Sequence, residues 1–185
     1  MGSGDSGYSI REATLDDVPA IARIHVDGWR ETYAGIVPDD HLRSLTYEER
    51  EKMWSRGIPV HAKVGTPILV AEHEDGSVSG FAVAGRSNSS LEAYDAELFA
   101  IYVRSEYQGR GIGTALVAES AGRLVSAGFR SMMLWVLRDN PMAAFYEHLG
   151  GHRITSRTVD IGNKPLPEVA FGWKNLRALA DRLKR

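Results

Sequence analysis

Ile101-Tyr102-Val103-Arg104-Ser105-Glu106-Tyr107-Gln108-Gly109-Arg110-Gly111-Ile112-Gly113-Thr114 runs from a β-type apolar triplet into a glycine cluster. Beyond it Ile112, Leu116, Val117, Ala121, Leu124 and Val125 recur at helical spacing until Gly128. Strand, glycine loop, helix is an order with physical meaning. Glycine lets the backbone approach a ligand closely and adopt positive φ. The helix that follows offers unpaired N–H groups and the positive end of its dipole. Together these make a site for a pyrophosphate. A Walker loop is excluded, because the chain has no Gly-Lys-Ser/Thr run. A dinucleotide fingerprint fails too: counted from Gly109, its last glycine position is Thr114. A glycine-rich strand–helix turn without a ligand is the bland alternative.

Outward from the loop, residues 97–103 read as a buried strand, apolar on both faces, and 132–137 as the next one. Upstream, 8–11 is a short strand. Thr14 caps a helix to about Arg30, with Asp16 and Asp17 in its first turn. Residues 33–38 break it, a short helix follows Pro38, and Thr46-x-x-Glu49 caps a third that ends near Arg56. Residues 57–67 read as loop, and 68–71 and 78–84 as a hairpin around Glu74-Asp75-Gly76-Ser77. Downstream, a helix opens at Pro141 and stops at Gly150-Gly151. Strands 154–161 and 168–173 and a short amphipathic tail at 176–183 complete the chain.

Composition narrows the function. The 185 residues suit one domain, 8–185, behind a flexible polar leader or cloning scar, 1–7. Apolar residues at 43% suffice for a core. Lys+Arg 22 against Asp+Glu 24 argues against a nucleic-acid binder. Zero Cys excludes disulfides, thiolate metal sites and a Cys nucleophile. His148 and His152 are four apart, but Gly150-Gly151 breaks the helix between them, so no metal is expected. No apolar run approaches a membrane span and no signal peptide opens the chain, which points to the cytoplasm.

The glycine block resembles the pattern of the GNAT acetyltransferase superfamily, Gln/Arg-x-x-Gly-x-Gly/Ala after a hydrophobic-Val strand end. A second block, Asn140-Pro-Met-Ala-Ala-Phe145-Tyr146-Glu-His-Leu-Gly150-Gly151, is similar to the family's as well. The resemblance is dense over 93–151. It implies an α/β fold with a mixed, mostly antiparallel central sheet flanked by helices. It also implies acetyl-CoA as co-substrate, bound between two splayed parallel strands, 97–103 and 132–137. Gln108, Gly109, Arg110, Gly111, Ile112, Gly113 and Thr114 would hold the pyrophosphate. Ile101, Tyr102 and Val103 would pair with the pantetheine, and Asn140 would touch the cofactor arm.

Acetyl transfer to an amine poses two proton problems. An amine of pKa about 10.4 is almost wholly protonated at neutral pH, and the departing thiol titrates near ~8.5. Glu97, a lone acid in an apolar strand, is the candidate base, directly or through water; its place eleven residues before Gln108 is similar to that of the base glutamate in histone-acetylating branches of the family. The alternative is a structural acid. Tyr146, six residues after Asn140, matches the family's acid tyrosine, whose hydroxyl serves the sulfur; packing alone is the alternative. Asp27, Trp29 and Tyr33, at the first helix break, are candidates for the acceptor pocket, although Trp29 and Tyr33 could equally pack helix on sheet.

These readings converge on an acetyl-CoA-dependent N-acetyltransferase acting on a small primary amine by direct attack on the thioester. A protein N-terminal or lysine acetyltransferase is the second reading, and a non-catalytic CoA-binding regulatory module the third. Retention of both Glu97 and Tyr146 speaks against the module. The strand near 154–161 is a candidate homodimer edge.

Overall fold

The computed structural model describes residues 7–184; the expected leader lies outside them except for Gly7. One seven-stranded sheet runs through the molecule. In chain order its strands are β1 (Tyr8–Glu12), β2 (Leu69–His73), β3 (Val78–Arg86), β4 (Ala96–Val103), β5 (Met132–Leu137), β6 (His152–Ile161) and β7 (Lys164–Trp173). Their spatial order is β1-β2-β3-β4-β5-β7-β6. Every pairing is antiparallel except β4 with β5. The helices are α1 (Val18–Thr32), α2 (Asp39–Ser44), α3 (Tyr47–Lys63), α4 (Ile112–Ser126), α5 (Ala143–His148) and α6 (Leu176–Leu183). One face of the sheet packs on α4 and α6 through Leu116, Leu124, Leu134, Phe171 and Leu179. The other packs on α1 and α3 through Ile21, Trp54, Ile58, Val70 and Phe81. This is the mixed, mostly antiparallel architecture that the resemblance implies.

The β4–β5 join is short. Only Ala96↔Met132 and Glu97↔Met133 pair, and beyond them the strands part. At that point β4 also slips against β3. Val83 faces Ala100 and Ala84 faces Leu98, so Phe99 is an extra, bulged residue. A bulge bends its strand and raises its twist, which carries β4 away from β5. The strand expected to be buried on both faces is therefore buried only at its start. Phe99 is 41% exposed, and Ala100 to Val103 are half-buried along the open gap. The closed end is pinned by Asp95. Its carboxylate accepts from the Arg130 and Ser131 N–H groups and from the Ser131 hydroxyl.

Two further departures have physical causes. The segment expected as loop from Gly57 is helix to Lys63, and α3 runs through Pro59. Trp54 and Ile58, one turn apart, are both buried against α1 and the sheet. That burial outweighs the one backbone bond the proline cannot donate. β7 begins at Lys164 and includes Pro165 and Pro167. Its pairing with β5 starts only at Glu168, so these prolines sit where β7 has one strand neighbour. Prolines are tolerated in such edge positions. The hairpin turn uses Gly162 (φ 59°) and Asn163 (φ 61°), the two positive φ values of a type I′ turn.

Candidate active site

The gap between the parted strands is a cleft of about 500 Å³, lined by Leu98–Val103 of β4, Leu134–Val136 of β5, the glycine loop, Asn140 and Tyr146. At its mouth Gly109 (φ 73°) and Gly111 (φ 81°) hold the left-handed conformation that other residues resist, and Gly111 caps α4. The first α4 bond is Ala115 N–H to the Gly111 carbonyl, which leaves the N–H groups of Ile112, Gly113 and Thr114 without helical partners. Gln108 Nε2 donates to the Val103 carbonyl at 3.0 Å, tying the loop to the strand end. Arg110 lies over the Tyr107 ring, 5.4 Å from its centroid, and does not line the cleft.

The cleft also gathers phenols. Tyr146 is buried, its ring packed against Phe145 and Phe171. Among the described residues no group hydrogen-bonds to its hydroxyl. Burial, then the neighbouring Tyr33, push its pKa up, so it stays a protonated donor. Tyr33 accepts from Asn140 Nδ2 at 3.1 Å and interacts electrostatically with Tyr102. Asn140 is fixed at its other end, Oδ1 accepting from Met142 N–H at 2.8 Å. The Tyr102 ring fits against α1 only because residue 28 is glycine. A Cβ there would stand 2.6 Å from Tyr102 Cδ1.

Glu97 faces the α1 side of the sheet, at the point where the strands part, and does not line the cleft proper. The Ser87 hydroxyl donates to its Oε2 at 3.2 Å. Burial raises its pKa, offset in part by Ser87, the Asn88 N–H and the charge of Arg157. Asp27 accepts from the Tyr47 hydroxyl at 2.8 Å, tying α1 to α3, and is not among the lining residues. Trp29 stands behind Tyr33, with ring centroids 4.8 Å apart. The sequence reading did not single out Ser87, Trp135, Arg157, Glu168 or Gly28. Trp135, the one aromatic in β5, carried a signal; the others did not. Among the described residues no cluster of three or more His, Asp or Glu could hold a metal.

A profile of the acetyltransferase (GNAT) family matches residues 23–151. The uncharacterized N-acetyltransferase YuaI of Bacillus subtilis is 43% identical over 178 residues, 96% of this chain and 99% of the relative. Two solved structures share the architecture. A ribosomal-protein-alanine N-acetyltransferase from Brucella melitensis has TM-score 0.70 and 24% identity, with 90% of this chain and 99% of that one covered. A phosphinothricin acetyltransferase from Sinorhizobium meliloti, in complex with AcCoA, has TM-score 0.67 and 24% identity, covering 91% and 89%.

Proposed function

As the chain belongs to the acetyltransferase (GNAT) family and is an N-acetyltransferase, we propose that it transfers the acetyl group of acetyl-CoA to the primary amine of a small molecule. The observation that carries this reading is the parting of β4 from β5 beside a glycine loop whose helix-start N–H groups are unpaired. The donor fits that arrangement. The N–H groups of Ile112–Thr114 suit a pyrophosphate, and the free backbone edges of β4 and β5 suit an extended, amide-bearing arm. When bound, acetyl-CoA supplies the acyl carbon and a thiolate leaving group. The ammonium first loses one proton; the neutral nitrogen then forms a bond to that carbon, the C–S bond breaks, and the second proton lost from nitrogen balances the one that the sulfur takes up.

Glu97 takes the amine's proton, directly or through water. A carboxylate whose pKa is raised by burial is a better base than an exposed one. Tyr146 serves the sulfur. Its hydroxyl is uncharged and engaged by no group among the described residues, so it can donate as negative charge appears there. Asn140 and Tyr33, bonded to each other, fix the cleft wall beside it.

A small acceptor is favoured by the closure of one end of the α1 face. Lys164 Nζ donates to the Ile36 carbonyl at 3.0 Å, and Gly162 packs on His41 and Pro38. The β6–β7 turn is thereby fastened to the α1–α2 segment, which leaves little room for a folded protein surface there. The test is thiol release from acetyl-CoA with a panel of amines and N-terminal peptides. Small amines should stimulate release more than peptides do. Stimulation by peptides alone would favour the protein-acetylating reading, and none by any acceptor would leave a CoA-binding module.

A further inference from the structure

We infer that Arg157 is a specificity-determining residue which receives a carboxylate of the acceptor, so that the preferred acceptors are amino acids rather than simple amines or polyamines. The inference rests on the acetyl transfer proposed above and adds the acceptor's second charged group. Arg157 leaves the edge strand β6 and lies across the sheet. Its guanidinium carbon is 3.9 Å from the centroid of the Trp135 ring, and Trp135 lines the cleft. Its Nε donates to Glu168 Oε2 at 2.8 Å. Among the described residues its two terminal nitrogens have no acceptor, and the side chain is half-exposed.

An arginine fixed at Nε and held over an indole has lost most of its rotamer freedom before any ligand arrives. What remains is a planar pair of N–H groups, the donor fork that fits a carboxylate with two parallel bonds. Across Trp135, where β4 and β5 part, stands Glu97, close enough for the Arg157 charge to act on it. Glu168 neutralises one side of the guanidinium without occupying the fork. The α1 face therefore presents an anion where β4 and β5 part and an unspent cationic fork over the nearby Trp135. That is the complement of an ammonium and a carboxylate in one small molecule. A polyamine would set a second cation against the fork, a like-charge placement that costs affinity.

The experiment compares matched pairs, each proteinogenic α-amino acid against the amine lacking its carboxylate, for example phenylalanine against phenethylamine, with spermidine included. Wild type should favour at least some carboxylate-bearing members by about 10- to 100-fold in kcat/KM, the scale of a charge-assisted bidentate contact. Arg157→Gln should collapse that ratio toward one, and Arg157→Lys, which keeps the charge without the fork, should fall between. CoA affinity measured alongside reports that the variants are folded. A wild type that prefers the carboxylate-free member of every pair, or spermidine, overturns the inference while leaving acetyl transfer to amines intact. So does an unchanged ratio in Arg157→Gln. Failure of every acceptor, amine and amino acid alike, instead sinks the reading of the site on which the inference rests.

Discussion

Tyr146 separates packing from chemistry within one side chain. Its ring is held by Phe145 and Phe171, and its hydroxyl by no group among the described residues. Tyr146→Phe keeps the ring contacts and breaks no protein hydrogen bond. The thermal midpoint and CoA affinity should stay near wild type, while kcat at saturating substrate falls by ~10²–10⁴, the usual weight of a positioned proton donor. A loss below tenfold would show that thiolate leaves unaided, and a lower midpoint would return Tyr146 to the core. Tyr146 was singled out in the sequence because its block, Asn140 to Gly151, resembles the family's. Of the α1-face residues, only Glu97 was. Ser87, Glu97, Trp135, Arg157 and Glu168 come from five separate segments, and only the lone acid and the lone indole differ visibly from their neighbours. Asp27 shows the reverse hazard. Its charge suits an acceptor pocket, yet its carboxylate is spent on Tyr47.

Among the elements, the start of α4 lets conformation and ligand approach be tested apart. Gly111 has φ 81° and its added Cβ would meet nothing closer than Tyr8 Oη at 3.8 Å. A side chain there strains the backbone by about 1–2 kcal/mol rather than colliding, so lost affinity in such a variant confuses two causes. Gly113 is free of that strain, lines the cleft, and would place a Cβ 3.4 Å from Phe145 Cζ, an ordinary contact. Gly113→Ala should raise or preserve the thermal midpoint, since alanine favours helix by up to about 1 kcal/mol. It should also weaken CoA binding by about tenfold in isothermal titration, or ~1.4 kcal/mol. Affinity unchanged in a stable variant would remove α4 from the cofactor site. The glycine loop was readable because backbone conformation itself demands the residue. The bulge at Phe99 was not, because any residue tolerates it and only the β3 register reveals it. Pro59 misled for a related reason: a breaker is local, whereas the burial of Trp54 and Ile58 that overrides it is tertiary.

For the molecule as a whole, His25 ties stability to pH. Its ring lies among Trp54, Phe81 and Tyr102, and its Nδ1 has no hydrogen-bond partner among the described residues. Burial, and then the charge of Arg50, lower its pKa from 6.5 to about 3. Between those values the unfolded chain binds a proton that the folded chain refuses. Stability is therefore fully present above about pH 6.5 and is lost as pH falls toward 3, at a limiting rate of about 1.4 kcal/mol per pH unit. In His25→Phe the drop in urea midpoint between pH 7 and pH 4.5 should shrink; an equal drop would assign the acid sensitivity to other groups. The shortness of the β4–β5 join matters at this scale too. Among the described residues, two residue pairs and the Asp95 clamp join β4 to β5 where β1–β4 meet β5–β7, so the sheet carries a seam along its middle. A molecule bound across a seam completes the masonry as well as reacting in it. By mass action, a ligand at a hundred times its dissociation constant adds about 2.7 kcal/mol to a fold that binds it only when intact. A protein so built is a tenant of its own substrate pool: when acetyl-CoA is scarce, the enzyme is not merely idle but more perishable.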